Sequence, residues 1–269
     1  ASILFKKSVV LENVPLVRDV FTMKKLLISL GSKVKINEKI RKMEIVNSKS
    51  HKLVVPYKLV STMRAGVLTM GSLLGRYQKK KILVAKGGGC SLGIRDINYH
   101  LDGFKTLKAT NILKKGYVNI QSKNGLEGNF YKFPKVTVTG TANLIMASVL
   151  AKGNQILRNV SIEPEIIDLI KFLNNSGAEI KFLGKRTINI KGVKELNHGT
   201  HKIIGDRIEA FSYLCIGAIS RGKITVKNID PIFLNTELKY LKKLGCKIIT
   251  YNDRISLNSE KILKSLNLK

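Results

Sequence analysis

The feature that most constrains this chain is a pattern recurring about every 70 residues. Val9-Val10-Leu11-Glu12-Asn13-Val14 leads to an apolar segment that stops at Gly31. Gln155-Ile156-Leu157-Arg158-Asn159-Val160 leads in the same way to Gly177, and Lys223-Ile224-Thr225-Val226-Lys227-Asn228-Ile229 to Gly245. The Asn-to-Gly spacing is 18, 18 and 17 residues. A diverged copy fills the gap, with its strand at 81–85 and its helix at 99–107. Each copy reads as strand, amphipathic helix, strand, strand. Leu238, Leu241 and Leu244 recur every three residues, which is helical spacing. The Gly supplies a left-handed helix cap, and the second copy lacks one at Leu107-Lys108-Ala109-Thr110. Further helices are expected over 61–77, 141–151 and 206–220, each opening the next copy. Units of this size cannot bury their own apolar faces and must pack on one another, which predicts an α/β fold with helices inside or between small sheets.

Composition narrows the class. The 269 residues are 44% apolar and 25% charged, which is globular rather than disordered. No apolar run approaches the roughly 18 residues that a spanning helix needs, so no membrane association is expected. Three cysteines at wide spacing make neither a disulfide framework nor a metal-ligand pair, and a reducing cytoplasm is the expected location. The net charge of +30 invites a polyanion partner. Lysine outnumbers arginine 38 to 10, however, and the lysines are spread along the chain with runs no longer than Lys79-Lys80-Lys81. Specific phosphate and base contacts lean on Arg. Nucleic acid is therefore disfavoured as the main partner, and a basic repeat protein that binds nucleic acid stays as the alternative class.

Five stretches carry a resemblance over essentially the whole chain. They are Leu59-Val60-Ser61-Thr62-Met63-Arg64-Ala65, Gly88-Gly89-Cys90-Ser91-Leu92-Gly93-Ile94-Arg95, Lys135-Val136-Thr137-Val138-Thr139-Gly140-Thr141, Glu163-Pro164-Glu165-Ile166-Ile167-Asp168 and Asp206-Arg207-Ile208-Glu209-Ala210. In this order they resemble the UDP-N-acetylglucosamine 1-carboxyvinyltransferases of the enolpyruvyl transferase family. The resemblance implies an inside-out α/β barrel of repeated βαββ-type units in two domains. Residues 1–203 correspond to the first domain, with the Cys loop, and 204–269 to the first repeat of a truncated second. The implied reaction transfers the enolpyruvyl group of phosphoenolpyruvate to the 3-hydroxyl of UDP-N-acetylglucosamine and releases phosphate. It implies these two small-molecule substrates and a place in peptidoglycan precursor synthesis, with no cofactor, metal or protein partner.

Cys90 follows Gly87, Gly88 and Gly89 and lies between Lys86 and Arg95, cations that lower a thiol pKa. In the resembling family the matching Cys donates the proton and is alkylated by fosfomycin. Arg64 and Arg95 are the cations expected to face phosphate and substrate, because a guanidinium fork matches such anions. By resemblance, Arg64, Arg95, Asp96, Ile97, Asn98, Tyr99, Lys135, Val136, Thr137 and Val138 contact the UDP-sugar. Arg207 and Glu209 match a segment at the family's domain junction. Glu163, Glu165 and Asp168 look like paired carboxylates, but Pro164 starts a helix there and acids favour its first turn. Cys215 and Cys246 read as small core residues.

The departures are specific. Lys86-Gly87 stands where the family has Pro before Gly-Gly-Cys, and Asp96-Ile97-Asn98 replaces Pro-Val-Asp. The sibling transferase acting on shikimate 3-phosphate shares the repeats but lacks the Gly-Gly-Cys loop. The family proteins are longer and carry a substrate-contacting Lys before the position of Ala1 and a general-base Asp after that of Lys269. The sequence is thus expected to be incomplete at both ends and inactive alone.

Overall fold

The computed structural model describes residues 1–85, 97–114, 116–260 and 262–266. The chain forms two compact units, Ala1–Lys202 and Ile203–Lys269. In the first unit, repeat one comprises β1 (Val9–Glu12), α1 (Arg18–Leu30), β2 (Lys33–Asn37) and β3 (Lys42–Val46). After it come β4 (Val54–Val55), α2 (Tyr57–Val60), a 3-10 turn (Arg64–Leu68) and α3 (Thr69–Arg76). Repeat two comprises β5 (Ile82–Ala85), α4 (Asn98–Thr106), β6 (Thr110–Lys114) and β7 (Tyr117–Gln121), followed by β8 (Phe130–Lys132) and α5 (Val138–Ser148). Repeat three comprises β9 (Asn154–Arg158), α6 (Pro164–Asn175), β10 (Glu179–Gly184) and β11 (Thr187–Lys191), followed by β12 (Gly199–Lys202).

The three sheets of this unit share one strand order: β12-β1-β3-β2, β4-β5-β7-β6 and β8-β9-β11-β10. Within each repeat the first strand pairs antiparallel with the third, as in Val9↔Ile45 and Ile190↔Gln155. The fourth strand is always a parallel one. β4 lies beside β5, β8 beside β9, and β12 beside β1 with Val9 opposite Gly199. Each parallel strand comes from the end of the preceding repeat. β12 comes from the third repeat and returns to the first, so the three repeats close into a ring.

Inside the ring run the 3-10 turn Ser2–Leu4, α3 and α5. Every residue of α5 from Gly140 to Ser148 is buried, so this helix has no solvent face. α3 approaches it on glycines. A Cβ on Gly71 would lie 2.2 Å from the Asn143 carbonyl oxygen, and one on Gly75 2.5 Å from that of Met146. The helix expected over 61–77 is broken. Met63 is extended at φ −145°, and the chain folds back so that Gly66 meets the Val60 side chain. The break buries Val60, Met63, Val67 and Met70 together, a tertiary gain that helical periodicity does not report. α5 starts three residues before the expected 141 because Thr137 Oγ1 accepts from the Gly140 N–H.

The repeat also governs the turns. Asn13, Asn159 and Asn228 all have positive φ, 57°, 59° and 61°. Asn tolerates this region better than other side chains. The next residue then donates its N–H to the far hairpin: Val14 to Arg41, Val160 to Arg186 and Ile229 to Asp253. Gly31, Gly177 and Gly245 end their helices at φ 111°, 99° and 105°. The following N–H reaches back to Leu27, Leu173 and Leu241 respectively, the six-to-one bond of a Schellman cap.

The second unit comprises α7 (Arg207–Ile219), β13 (Lys223–Lys227), α8 (Asn235–Lys243), β14 (Lys247–Tyr251) and β15 (Arg254–Asn258). Its sheet has the order β13-β15-β14, and Leu214, Leu238, Leu241, Ile255 and Leu257 form its core. Cys246 is buried as expected, whereas Cys215 is only half-buried. α7 leaves Ile208, Ile216 and Ile219 63%, 59% and 76% exposed. Among the described residues no helix is long and apolar enough to cross a membrane.

The second repeat forms the same cap without glycine. Lys108 takes φ +65°, and Ala109 N–H bonds the Phe104 carbonyl at 3.1 Å. A β-carbon in this region costs about 1 kcal/mol. Lys108→Gly is expected to stabilise the protein by about 0.5–1 kcal/mol in chemical denaturation. A loss of stability would mean that the Lys108 side chain contributes more than its backbone costs.

Candidate active site

The described members of the expected site sit at the starts of three helical segments. Arg64, half-buried, opens the 3-10 turn Arg64–Leu68 that runs into α3. Ile97 is buried and caps α4, whose first residues are the exposed Asn98 and the half-buried Tyr99. Lys135 and Val136 are exposed and lead into Thr137, the N-cap of α5, and Val138, its first residue. Cys90, Arg95 and Asp96 lie outside the described residues.

One side chain ties the three starts together. Asn143, fully buried in α5, accepts from the Gly71 N–H of α3 at 2.9 Å. Its Nδ2 donates to the Val67 carbonyl at 3.1 Å and to His100 Nδ1 at 2.8 Å. His100 Nε2 faces Thr139 Oγ1 at 3.4 Å, so the imidazole bridges the first turns of α4 and α5. From the β8 side, the Tyr131 hydroxyl donates to the Tyr99 carbonyl at 3.1 Å. Burial, then the charge of Asp102, push the Tyr131 hydroxyl up to about 12, so it stays a donor at any ordinary pH.

The arrangement favours anions. Helix starts leave backbone N–H groups without intrahelical partners and carry the positive end of the helix dipole. The starts of α4, α5 and the 3-10 turn are held at one end of the inner helices, with Arg64 and Lys135 on the same segments. Among the described residues, no group of three or more His, Cys, Asp and Glu could hold a metal ion.

The other singled-out residues are placed elsewhere. Glu163 caps α6 with Pro164 at its first turn and Glu165 beside it, and its carboxylate accepts from the Ser161 hydroxyl. Asp168 Oδ2 binds His201 Nε2 at 3.0 Å, tying α6 to β12. Pro164 thus opens a helix with Glu165 in its first turn, as expected, whereas Asp168 lies beyond that turn. Arg207 and Glu209 lie in the first turn of α7, where Asp206 accepts from the Ile208 and Glu209 N–H groups. The sequence reading missed Asn143, His100, Thr139 and Tyr131. No local signal in the sequence marks them.

Removing the Asn143 amide orphans a buried N–H and a buried imidazole nitrogen. Asn143→Ala is therefore expected to cost at least about 2 kcal/mol in urea denaturation. Asn124→Ala, at an exposed loop position, should stay within about 0.5 kcal/mol. Equal effects would show that the amide does not organise this end of the unit.

Comparison with known proteins places this geometry. The family model described as EPSP synthase (3-phosphoshikimate 1-carboxyvinyltransferase) matches residues 1–269. A Pelagibacter ubique protein named UDP-N-acetylglucosamine 1-carboxyvinyltransferase is 42% identical over all 269 residues. A Coxiella burnetii protein of the same name is 38% identical over 248 residues, 92% of this chain. The chain spans 64% and 56% of these relatives' lengths. Among solved structures, the enolpyruvyl transferase NikO from Streptomyces tendae superposes with a TM-score of 0.82 at 15% identity, covering 96% of this chain and 61% of that one. EPSP synthase from Acinetobacter baumannii gives 0.72 at 16% identity, over 100% and 62% of the two chains. The fold is thus that of the enolpyruvyl transferases, and the chain belongs to the EPSP synthase (3-phosphoshikimate 1-carboxyvinyltransferase) family.

Proposed function

We propose that this chain is the substantial part of a cytoplasmic UDP-N-acetylglucosamine 1-carboxyvinyltransferase. In this reading, residues 1–203 are the first domain, and 204–269 are the first repeat of a second. The observation that carries the reading is the 42% identity, over every residue of the chain, to a relative of that name. The Gly88-Gly89-Cys90 loop favours it over the shikimate 3-phosphate sibling. The exposed apolar residues of α7 support the domain assignment, because α5, which also leads into the first strand of a repeat, is buried on every side.

The reaction needs a proton donor near C3 of phosphoenolpyruvate and cations around its phosphate. The sugar 3-hydroxyl gives its proton to a general base as its oxygen bonds to C2, while C3 takes a proton, here from the Cys90 thiol. C3 then gives up a proton and the C2–O bond to phosphate breaks, leaving an enolpyruvyl ether and free phosphate. Arg64, Arg95 and Lys135 supply the cations. Residues 95–99 and 135–138 hold the UDP-sugar at the helix starts, where backbone N–H groups receive its diphosphate. The field of a +30 chain draws both anionic substrates in.

Brief treatment with iodoacetamide, followed by mass mapping, tests the thiol. Burial raises the Cys215 pKa and keeps Cys246 out of reach, so both should react slowly. Cys90 is expected to react at least about 10-fold faster than either, and UDP-N-acetylglucosamine should change its rate where shikimate 3-phosphate does not. Equal labelling of the three cysteines, or an effect of shikimate 3-phosphate alone, would overturn the assignment.

A further inference from the structure

The inner helices have a second end. α3 runs from Thr69 to Arg76 and α5 from Val138 to Ser148, with Gly71 against Asn143 and Gly75 against Met146. The helices are therefore parallel, and their C-terminal ends lie together. Arg76 is twelve residues from Arg64, about 18 Å along the helical path. An open cavity of about 740 Å³ lies at this far end, between Gly75-Arg76-Tyr77, Leu150 and the segments at Leu4 and Lys194. That volume is in the range of small-molecule sites.

The lining is far more basic than the chain as a whole. Lys6, Lys49, Arg76, Lys79, Lys80 and Lys194 make up six of its twelve residues, against 48 Lys and Arg in 269 overall. The single carboxylate is Glu195, which pairs with Lys6 at 2.8 Å. Among the described residues, Lys49, Lys79, Lys80 and Lys194 have no carboxylate partner. The floor is fixed. Arg76 donates to the Ile3, Phe5 and Ser48 carbonyls at 2.8, 2.6 and 2.9 Å. The Tyr77 hydroxyl meets His51 Nδ1 at 2.6 Å, and His51 Nε2 meets Ser32 Oγ at 2.9 Å. Burial, then the Arg76 charge, push His51 down to about 4, so the imidazole is neutral and the positive field comes from the lysines. Lys80 Nζ also lies 5.7 Å over the Tyr77 ring.

Helix C-terminal ends attract cations, which accounts for basic residues near Arg76 but not for those at Lys6, Lys49 and Lys194. Six basic residues around one concavity, with a single carboxylate among them, concentrate positive charge well beyond the average of the chain. We propose that this cavity is a second anion site, separate from the substrate face, which takes a compact organic phosphate with two or more adjacent phosphate groups. The lysines hold the phosphates as mobile point charges, and Tyr77 with Leu150 offers the apolar wall for the organic body.

Calorimetric titration of the full chain with adenosine triphosphate at physiological salt tests the proposal. Lys79→Glu/Lys80→Glu/Lys194→Glu should weaken binding at least 10-fold. Lys33→Glu/Lys35→Glu/Lys181→Glu makes the same change in net charge on two strands away from the cavity, and should change affinity less than 2-fold. Arg64→Ala/Lys135→Ala should likewise leave it within 2-fold. Circular dichroism of each variant confirms that it is folded. Should the cavity variant fail to fold, protection of Lys79, Lys80 and Lys194 from acetylation by added triphosphate in the unaltered protein is the expected result. Equal loss in the two triple variants would reduce the effect to overall charge. Loss in the Arg64/Lys135 variant would place the ligand on the substrate face, and absence of binding at physiological salt would remove the site.

Discussion

The contact on which the first unit depends is the glycine-mediated approach of α3 to α5. With only hydrogens at Gly71 and Gly75, the two backbones come close enough that any Cβ would collide with carbonyl oxygens at 2.2 and 2.5 Å. Contacts this tight fix register as well as distance. They make the helices parallel, place their starts at one end, and let Asn143 reach Gly71, Val67 and His100 at once. The site is a consequence of this packing. Arg64, Asn98 and Lys135 lie on loops and first turns, but the positions of those segments come from a buried amide inside the helix bundle.

Ring closure protects that packing. Each repeat lends a parallel strand to the next, and the third lends β12 back to the first. His201 on β12 also binds Asp168 on α6, and its ring lies 5.0 Å from Phe172, which stacks on Phe5 at 5.2 Å. The last strand is thus held by a backbone ladder, a side-chain hydrogen bond and an aromatic chain. In the Ile203–Lys269 unit the same βαββ order appears once, and α7 keeps an apolar face in solvent.

Most of the fold was legible because the repeat is written in conformational terms. Asn at a left-handed turn and Gly at a helix cap are requirements of backbone geometry, so they survive where side chains diverge. The three-residue apolar spacing of Leu238, Leu241 and Leu244 then places α8 to within a residue or two. The 61–77 stretch was misread because Gly66 and Gly71 serve tertiary approach, which a propensity scale counts only as weak helix. The missing cap after Leu107 read as a weakness, yet Lys108 adopts the glycine conformation and preserves the bond to Phe104. Arg64, Asn98, Tyr99 and Lys135 to Val138 are site candidates only through the family resemblance. Asn143 and His100 were not legible at all. Their partners lie up to 76 residues away, and nothing local distinguishes a satisfied buried amide from a surface one.

The central claim is that the substrate face lies at the starts of the inner helices. Amide chemical-shift mapping of the isotope-labelled 269-residue chain during titration with UDP-N-acetylglucosamine tests it most directly, because the method registers even weak binding. The largest shifts are predicted at Arg64–Leu68, at Asn98 and Tyr99, and from Lys135 to Thr139. Shifts concentrated around Gly75 to Lys80, or confined to the Ile203–Lys269 unit, would contradict the account.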